Sequence, residues 1–150
     1  MSRLSILLPF HNAAPTLDAA IASIAAQTFA DWELLLIDNA STDGSPAIAH
    51  QWAMRDECIR VITEPVIGIA HALNTGLHHA QGRYIARMDA DDVSHPERLA
   101  KQVAYMDAHP EIGVLGTRTR LATSVEKSSC MQGFVYWQNA ILSPHEHYVK

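Results

Sequence analysis

Cysteine is scarce in this sequence. The two present, Cys58 and Cys130, lie far apart and lack the C-x-x-C spacing of a zinc or redox site, which fits two reduced thiols in a cytosolic protein. Basic charge is also short: 11 Lys and Arg stand against 16 Asp and Glu, for a formal net charge of −5, and no basic cluster interrupts the chain. A polyanion would meet net repulsion and no landing strip, so nucleic acid is not an expected partner. Long apolar runs are missing too. Ile6-Leu7-Leu8 and Leu34 to Ile37 are far too short for a signal peptide or a transmembrane segment. A soluble, intracellular chain is expected. With 150 residues, 48% apolar and 18% charged, it forms one globular unit that hides roughly 68% of its extended-chain surface.

What is present is a repeating order of elements. Leu4 to Leu8, stopped by Pro9, and Trp32 to Ile37, stopped by Asp38, read as buried strands. Between them Leu17, Ile21 and Ile24 recur at helical spacing, with Pro15 near the first helical position and Asp18 in the first turn. Ser45-Pro46 opens a second helix carrying Ile48 and Trp52, and Ile59 to Ile62 supplies a third strand. Ile69, Leu73 and Leu77 form a stripe that runs to Gly82 as a C-cap, before a fourth strand at Tyr84 to Met88. Ser94-His95-Pro96-Glu97 has capping-box spacing ahead of Leu99, Val103 and Met106, and Ile112 to Leu115 is a fifth strand candidate. Strands alternating with helices imply right-handed crossovers and a mainly parallel sheet covered on both faces, a Rossmann-like three-layer α/β sandwich. After Gly116 the periodicity fades. Arg118 to Val125 reads as a strand and Phe134 to Leu142 is open between helix and strand. Trp32 and Trp52 sit at core positions, and His78-His79 read as surface imidazoles.

In open α/β sheets ligands collect beyond the carboxyl ends of the strands. Strand one ends in Pro9-Phe10-His11-Asn12, strand two in Asp38-Asn39 and strand four in Asp89-Ala90-Asp91-Asp92, so that edge is acidic. Two like charges about 4 Å apart at an effective dielectric near 20 repel by roughly 4 kcal/mol, so such a group must protonate, splay into water or hold a cation. A hard divalent ion is the natural third option, because it keeps waters and completes its shell with substrate phosphates. The plainer reading is that Asp91 or Asp92 favours the positive end of the helix beginning near Pro96. Other motifs fail. An EF-hand loop from Asp89 would need a glycine at Ser94 and an acid at Ala100, Pro9 to Pro15 holds no glycine for a phosphate cradle, and His145-Glu146-His147 does not match H-E-x-x-H.

Four segments together carry a resemblance: Ile6 to Asn12, Leu36 to Ser45, Gly68 to Leu77 with Asn74, and Gly82 to Asp92. In that order they resemble the family-2 glycosyltransferases, which have the nucleotide-diphospho-sugar transferase fold called GT-A, over about Ser5 to Gly116. Two departures stand out. His11 occupies a position often held by tyrosine or another aromatic residue, and Asn39 replaces a second aspartate after Asp38. The resemblance implies that Pro9, His11, Asn12 and Asp38, with Gly68 and Asn74, contact the nucleotide sugar. It makes Asp89-Ala90-Asp91 the D-x-D motif, with Asp91 as direct ligand of Mg2+ or Mn2+ and Asp89 reaching the ribose or the metal.

The implied reaction is inverting transfer of a sugar from a nucleoside diphosphate, a UDP-sugar being favoured, to a hydroxyl of a saccharide or lipid-linked acceptor in surface polysaccharide assembly. In this family the catalytic base lies downstream of the matched region. Residues 1–116 are accordingly expected to form the donor-binding core, and residues 117–150 to start an acceptor-side half whose base lies beyond Lys150. A cytoplasmic chain, peripheral at the inner membrane face, follows from the same resemblance. If that half normally covers apolar surface and a strand edge, self-association into a homodimer is expected. Ile85 to Val93 also fits the D-x-D-x-[VT] pattern of haloacid-dehalogenase-like phosphohydrolases, with Asp89 as nucleophile, although that family carries its motif on the first strand. A nucleotide-binding module without activity is the third reading.

Overall fold

The computed structural model describes residues 2–120. Their elements are β1 (Leu4–Phe10), α1 (Leu17–Ala25), β2 (Trp32–Asp38), α2 (Ser45–Ala53), β3 (Ile59–Thr63), α3 (Ile69–His79), β4 (Tyr84–Arg87) and α4 (Arg98–Ala108). Every residue of β1 and β2 is buried, which is what a near-continuous apolar run becomes when both faces of a sheet are covered. The four strands run in the order β3-β2-β1-β4, and all three pairings are parallel.

Strand alternation sorts the core into two layers. Leu4, Ile6, Leu8 and Phe10 pack with Leu34 and Leu36 against Leu17, Ile21 and Ile24 of α1, Ala49 of α2, and Leu99 and Val103 of α4. Leu7, Leu35 and Ile37 point the other way and pack with Ala72 of α3. Handedness explains the split. The chain steps from β1 to β2 to β3 in one direction, then returns past β1 to lay down β4, so a right-handed crossover places α3 on the opposite face. Each fully buried Leu or Ile contributes roughly 2 kcal/mol by leaving water.

Three local expectations are corrected. The buried face of α3 is Ala72 and Gly76 rather than the Ile69-Leu73-Leu77 stripe; Ile69 and Leu77 are about half exposed and Leu73 is half-buried. The cause is close approach: a Cβ on Gly76 would sit 3.1 Å from both Ile37 Cδ1 and Leu7 Cδ2, so small residues face the sheet and large ones flank it. Gly82 is not the C-cap of α3, which ends at Ala80. The capping box at Ser94 does not form either. The buried Gln27 amide caps α4 instead, its Oε1 accepting from Leu99 N–H at 3.0 Å while its Nε2 donates to the Ser23 and His95 carbonyls and to Ser94 Oγ. A cap supplied from the loop after α1 leaves no local signature.

Trp32 is buried, Trp52 is half-buried with its Nε1 donating to Asp18, and His78 and His79 are exposed, as their positions suggested. Backbone proximity divides the chain between His109 and Pro110. Residues 110–120 hold no helix or strand, so Ile112 to Leu115 is not a strand. Gly113 interrupts that short run and Val114 is 90% exposed, which removes the side-chain packing that a strand needs. Arg118 to Arg120 are likewise irregular. The remainder of that stretch, Cys130, Phe134 to Leu142 and His145 to His147 lie outside the described residues.

Gly82 has a different duty from capping. A Cβ there would meet Ser5 N at 2.5 Å and the Leu4 carbonyl carbon at 2.7 Å, both backbone atoms that cannot yield without moving β1. Gly82→Ala is expected to lower unfolding stability by about 3 kcal/mol, against 1 kcal/mol or less for Gly76→Ala, whose neighbours are side-chain ends. Urea melts of the two variants check the ranking.

Candidate functional site

The strand order reverses between β1 and β4, so their carboxyl ends lie side by side, where open α/β sheets hold ligands. A cavity of about 360 Å3 lies there, walled by Pro9 to Ala13 after β1, by Thr16, by Ile69 at the start of α3, and by Arg87 and Asp89 to Asp91 at the end of β4. The side formed by β1 is held by the loop after β2. Asn12 N–H donates to Ser41 Oγ, Thr42 N–H donates to Asn12 Oδ1, Ala13 N–H donates to Ser45 Oγ, and Ala14 N–H donates to Asp43 Oδ2. Asn12 has φ 51°, in the left-handed region that asparagine tolerates.

His11 Nδ1 is 2.7 Å from the Asn39 carbonyl oxygen, and a carbonyl only accepts, so Nδ1 carries the proton. In the neutral ring Nε2 is then an acceptor, which suits Asn12 Nδ2 donating to it at 3.3 Å. Asn39 is itself buried, and its side chain clamps the loop between β3 and α3. Nδ2 donates to the Glu64 and Val66 carbonyls, and Oδ1 accepts from Gly68 N–H at 2.8 Å. That clamp sets where Gly68, at φ 144°, launches α3 and so where Ile69 meets the cavity.

Opposite stands the acidic wall. Met88 N–H continues the ladder to the Leu7 carbonyl, and the chain then turns through Asp89 to Asp92, whose N–H donates to the Asp89 carbonyl. Asp89 is gripped by Arg87 at two points, Nε to Oδ1 at 2.9 Å and Nη2 to Oδ2 at 3.3 Å. Asp92 has its carboxyl pushed above the ordinary aspartate value by desolvation first, then by the charges of Asp89 and Asp91, with Arg98 and Arg87 opposing. Helix α4 begins at Arg98 behind Glu97 as N-cap, so Asp91 and Asp92 lie outside its first turn and the helix-end reading loses its geometry.

Of the residues expected at the site, Pro9, His11, Asn12, Asp89, Ala90 and Asp91 line the cavity; Asp38, Gly68 and Asn74 do not. Asp38 is paired in register with Phe10 on the far side of β1, and at 4.8 Å per strand its backbone stands about 10 Å from β4. It is buried, and its Oδ1 accepts from Ser41 N–H. It lies on the same rim of the sheet as Asp89 but outside the cavity lining. Gly68 precedes the lining residue Ile69, and Asn74 is exposed in the middle of α3. Arg87, Thr16 and Ile69 escaped the sequence reading. Arg87 was findable, because it ends a strand and Asp89 is two positions on.

Among the described residues no three His, Cys, Asp or Glu side chains gather as a metal site. Two carboxylates in the cavity, Asp89 and Asp91, nevertheless match the donor set of a hard cation that is held by one or two carboxylates and finished by water and phosphate. No helix among the described residues is long and apolar enough to cross a membrane.

A parallel sheet ordered 3-2-1-4, with a ligand-sized cavity at the reversal and paired acids beyond β4, defines a GT-A type α/β domain. This chain belongs to glycosyl transferase family 2, whose family model matches residues 5–134. It is 43% identical over 117 residues to a Bacillus subtilis (strain 168) protein carrying the glycosyltransferase name EpsE, covering 77% of this chain and 42% of that one. It is 39% identical over 103 residues to the Escherichia coli UDP-Glc:alpha-D-GlcNAc-diphosphoundecaprenol beta-1,3-glucosyltransferase WfgD, covering 68% and 40%. Among solved structures, mannosyltransferase PcManGT from Pyrobaculum calidifontis, in complex with GDP-Man and Mn2+, matches with a TM-score of 0.65 at 32% identity, over 69% of this chain and 32% of that one. The chain thus spans about two fifths of the length of these two curated relatives.

Two outcomes follow for the loops that shape the cavity. Asn39→Asp replaces a double donor with an acceptor facing two carbonyls, and should lower stability by about 2 kcal/mol in denaturant melts. Asp43 has its carboxyl held below the ordinary aspartate value, first by the Ser45 hydroxyl and then by the Ser45 backbone N–H. A depressed acid stabilises the fold above its unfolded value, and that contribution is lost as pH falls through its folded one. The stability gap between wild type and Asp43→Ala should therefore be constant above about pH 4 and close below it, as read from melts across pH.

Proposed function

We propose that residues 1–116 form the donor-binding part of an inverting, metal-dependent glycosyltransferase. It takes a sugar from a nucleoside diphosphate, UDP being favoured, and passes it to a hydroxyl of a saccharide or lipid-linked acceptor. The observation that carries this reading is one cavity with His11 and Asn12 on one wall and Asp89 and Asp91 on the other. The nucleoside lies over the ends of β1 and β2, where Asp38 and the Asn12 loop are held in place by hydrogen bonds. The diphosphate lies toward β4.

Asp91 is the direct ligand of Mg2+ or Mn2+, with Asp89 beside it, and the cation when bound neutralises charge on the leaving diphosphate. His11, with its proton on Nδ1, is fixed on the Asn39 carbonyl, and its ring forms part of the wall that faces the donor. Pro9, Ala90 and Ile69 shape the walls. The general base is supplied from outside the described residues. UDP is favoured over GDP because WfgD, at 39% identity, carries UDP-Glc in its name, while PcManGT binds GDP-Man. The diphosphoundecaprenol in WfgD's name supports a lipid-linked acceptor, and with it a site of action at the inner face of a membrane. Half-exposed Ile69, Leu77 and Ile85 leave apolar surface on the α3 side of the sheet, which supports a homodimer.

The phosphohydrolase reading fits less well, because Asp89 follows the fourth strand at the edge of the described sheet rather than the first. A binding module without turnover differs from the proposal only in lacking a base. Calorimetry with UDP checks the donor site: affinity should rise at least about tenfold when Mn2+ is added, and Asp91→Asn should abolish that gain. Equal UDP affinity with and without Mn2+, in wild type and variant alike, would overturn the metal assignment.

A further inference from the structure

One charged side chain of the cavity, Arg87, has no part in the donor site described above. Arg87 closes β4, two residues before Asp89 in the turn that follows, and both line the cavity. Its guanidinium does not merely approach Asp89. Nε meets Oδ1 at 2.9 Å and Nη2 meets Oδ2 at 3.3 Å, so the fork covers both oxygens of the carboxylate. Among the described residues lining the cavity, Arg87 is the one permanent cation, and its partner there is Asp89. Its side chain is 57% exposed and that of Asp89 is 44% exposed, so the pair is wet and therefore weak and exchangeable.

We propose that Arg87 is a positioning residue that holds Asp89 while the site is empty and exchanges that carboxylate for the donor's diphosphate when the cation arrives. The inference rests on the donor-site reading above. A dication needs a carboxylate oxygen at about 2.0–2.1 Å, within the space the fork now closes, and a guanidinium beside it adds like-charge repulsion. The ion alone thus competes with Arg87 for Asp89. Once Asp89 turns to the ion, five N–H donors in a planar fork are released into a cavity that is receiving phosphate oxygens, the geometry that arginine matches best. The arrangement disfavours the ion by itself and favours ion and donor together, so the two ligands bind cooperatively.

The consequence is a pair of effects opposite in sign. Arg87→Gln should bind Mn2+ alone about two- to fivefold more tightly than wild type, the range set by loss of an exposed ion pair. The same variant should bind UDP at saturating Mn2+ about tenfold more weakly, for loss of a charged phosphate contact. Mn2+ titration followed by electron paramagnetic resonance reads the first, and calorimetry with UDP reads the second. A side chain that only supports the fold would weaken both. Arg87→Lys, which keeps the charge but not the fork, should fall between wild type and Arg87→Gln in both titrations and serves if the glutamine variant unfolds.

Unchanged or weaker Mn2+ binding in folded Arg87→Gln, or unchanged UDP binding, would overturn the proposal while leaving the donor site standing. Absence of metal-dependent UDP binding in wild type would instead overturn the donor-site reading and, with it, this inference.

Discussion

The structure depends on one constraint, the return of the chain past its first strand. Three strands laid side by side with right-handed crossovers leave β1 with one free edge, and β4 takes it by parallel pairing of Leu4 to Leu7 with Tyr84 to Arg87. That pairing brings the end of an apolar, fully buried strand beside the turn after β4 that carries Asp89, Asp91 and Asp92. It also sends α3 to the face opposite α1 and α2, where Ala72 and Gly76 let it lie against Leu7 and Ile37. The cavity, its acidic wall and its ceiling at Ile69 are all consequences of where β4 is placed.

Around that crevice the supporting contacts are polar and redundant. The loop after β1 is tied to the loop after β2 by four hydrogen bonds through Asn12, Ser41, Asp43 and Ser45. The loop before α3 is held by the buried amide of Asn39 and by Glu64, which accepts from Val66 N–H and from the Thr75 hydroxyl. At the other end of the sheet a second buried polar group, Glu33, takes hydrogen bonds from Ser5 and from Gln81 N–H and an ion pair from Arg60, fastening the entry to β4. Rigid loops on a rigid sheet are what orient a flexible nucleotide at low entropic cost. The acids, by contrast, are wet and adjustable, which is what a site that must admit and release an ion requires.

Much of this was legible in the residues. The fully buried strands announce themselves as Leu4 to Leu8 and Trp32 to Ile37, although Pro9 and Asp38 do not stop them and the pairing runs on to Phe10 and Asp38, and strand–helix alternation specifies parallel order without any contact being seen. The acids at Asp89 to Asp91 were found because strand ends are where α/β sheets hold ligands. What escaped was set by tertiary proximity. Helix α3 buries its small residues, because depth of approach and not hydrophobicity decides which face meets a sheet. The cap on α4 comes from Gln27, far away in sequence. Ile112 to Leu115 has strand composition but no packing. Asp38 reads as part of one acidic group, yet the intervening strand separates it from Asp89 by about two strand spacings. The family assignment adds the chemistry, and the geometry decides which residues can share it.

Paramagnetic line broadening in amide NMR spectra of the UDP-bound chain tests the central claim most directly, because it maps an ion without presupposing its ligands. With substoichiometric Mn2+, signals of Asp89, Ala90 and Asp91 should vanish first, those of His11 and Asn12 next, and those of His78 and His79 last. Broadening centred on the exposed histidines of α3, or spread evenly over the acidic surface, would contradict the account.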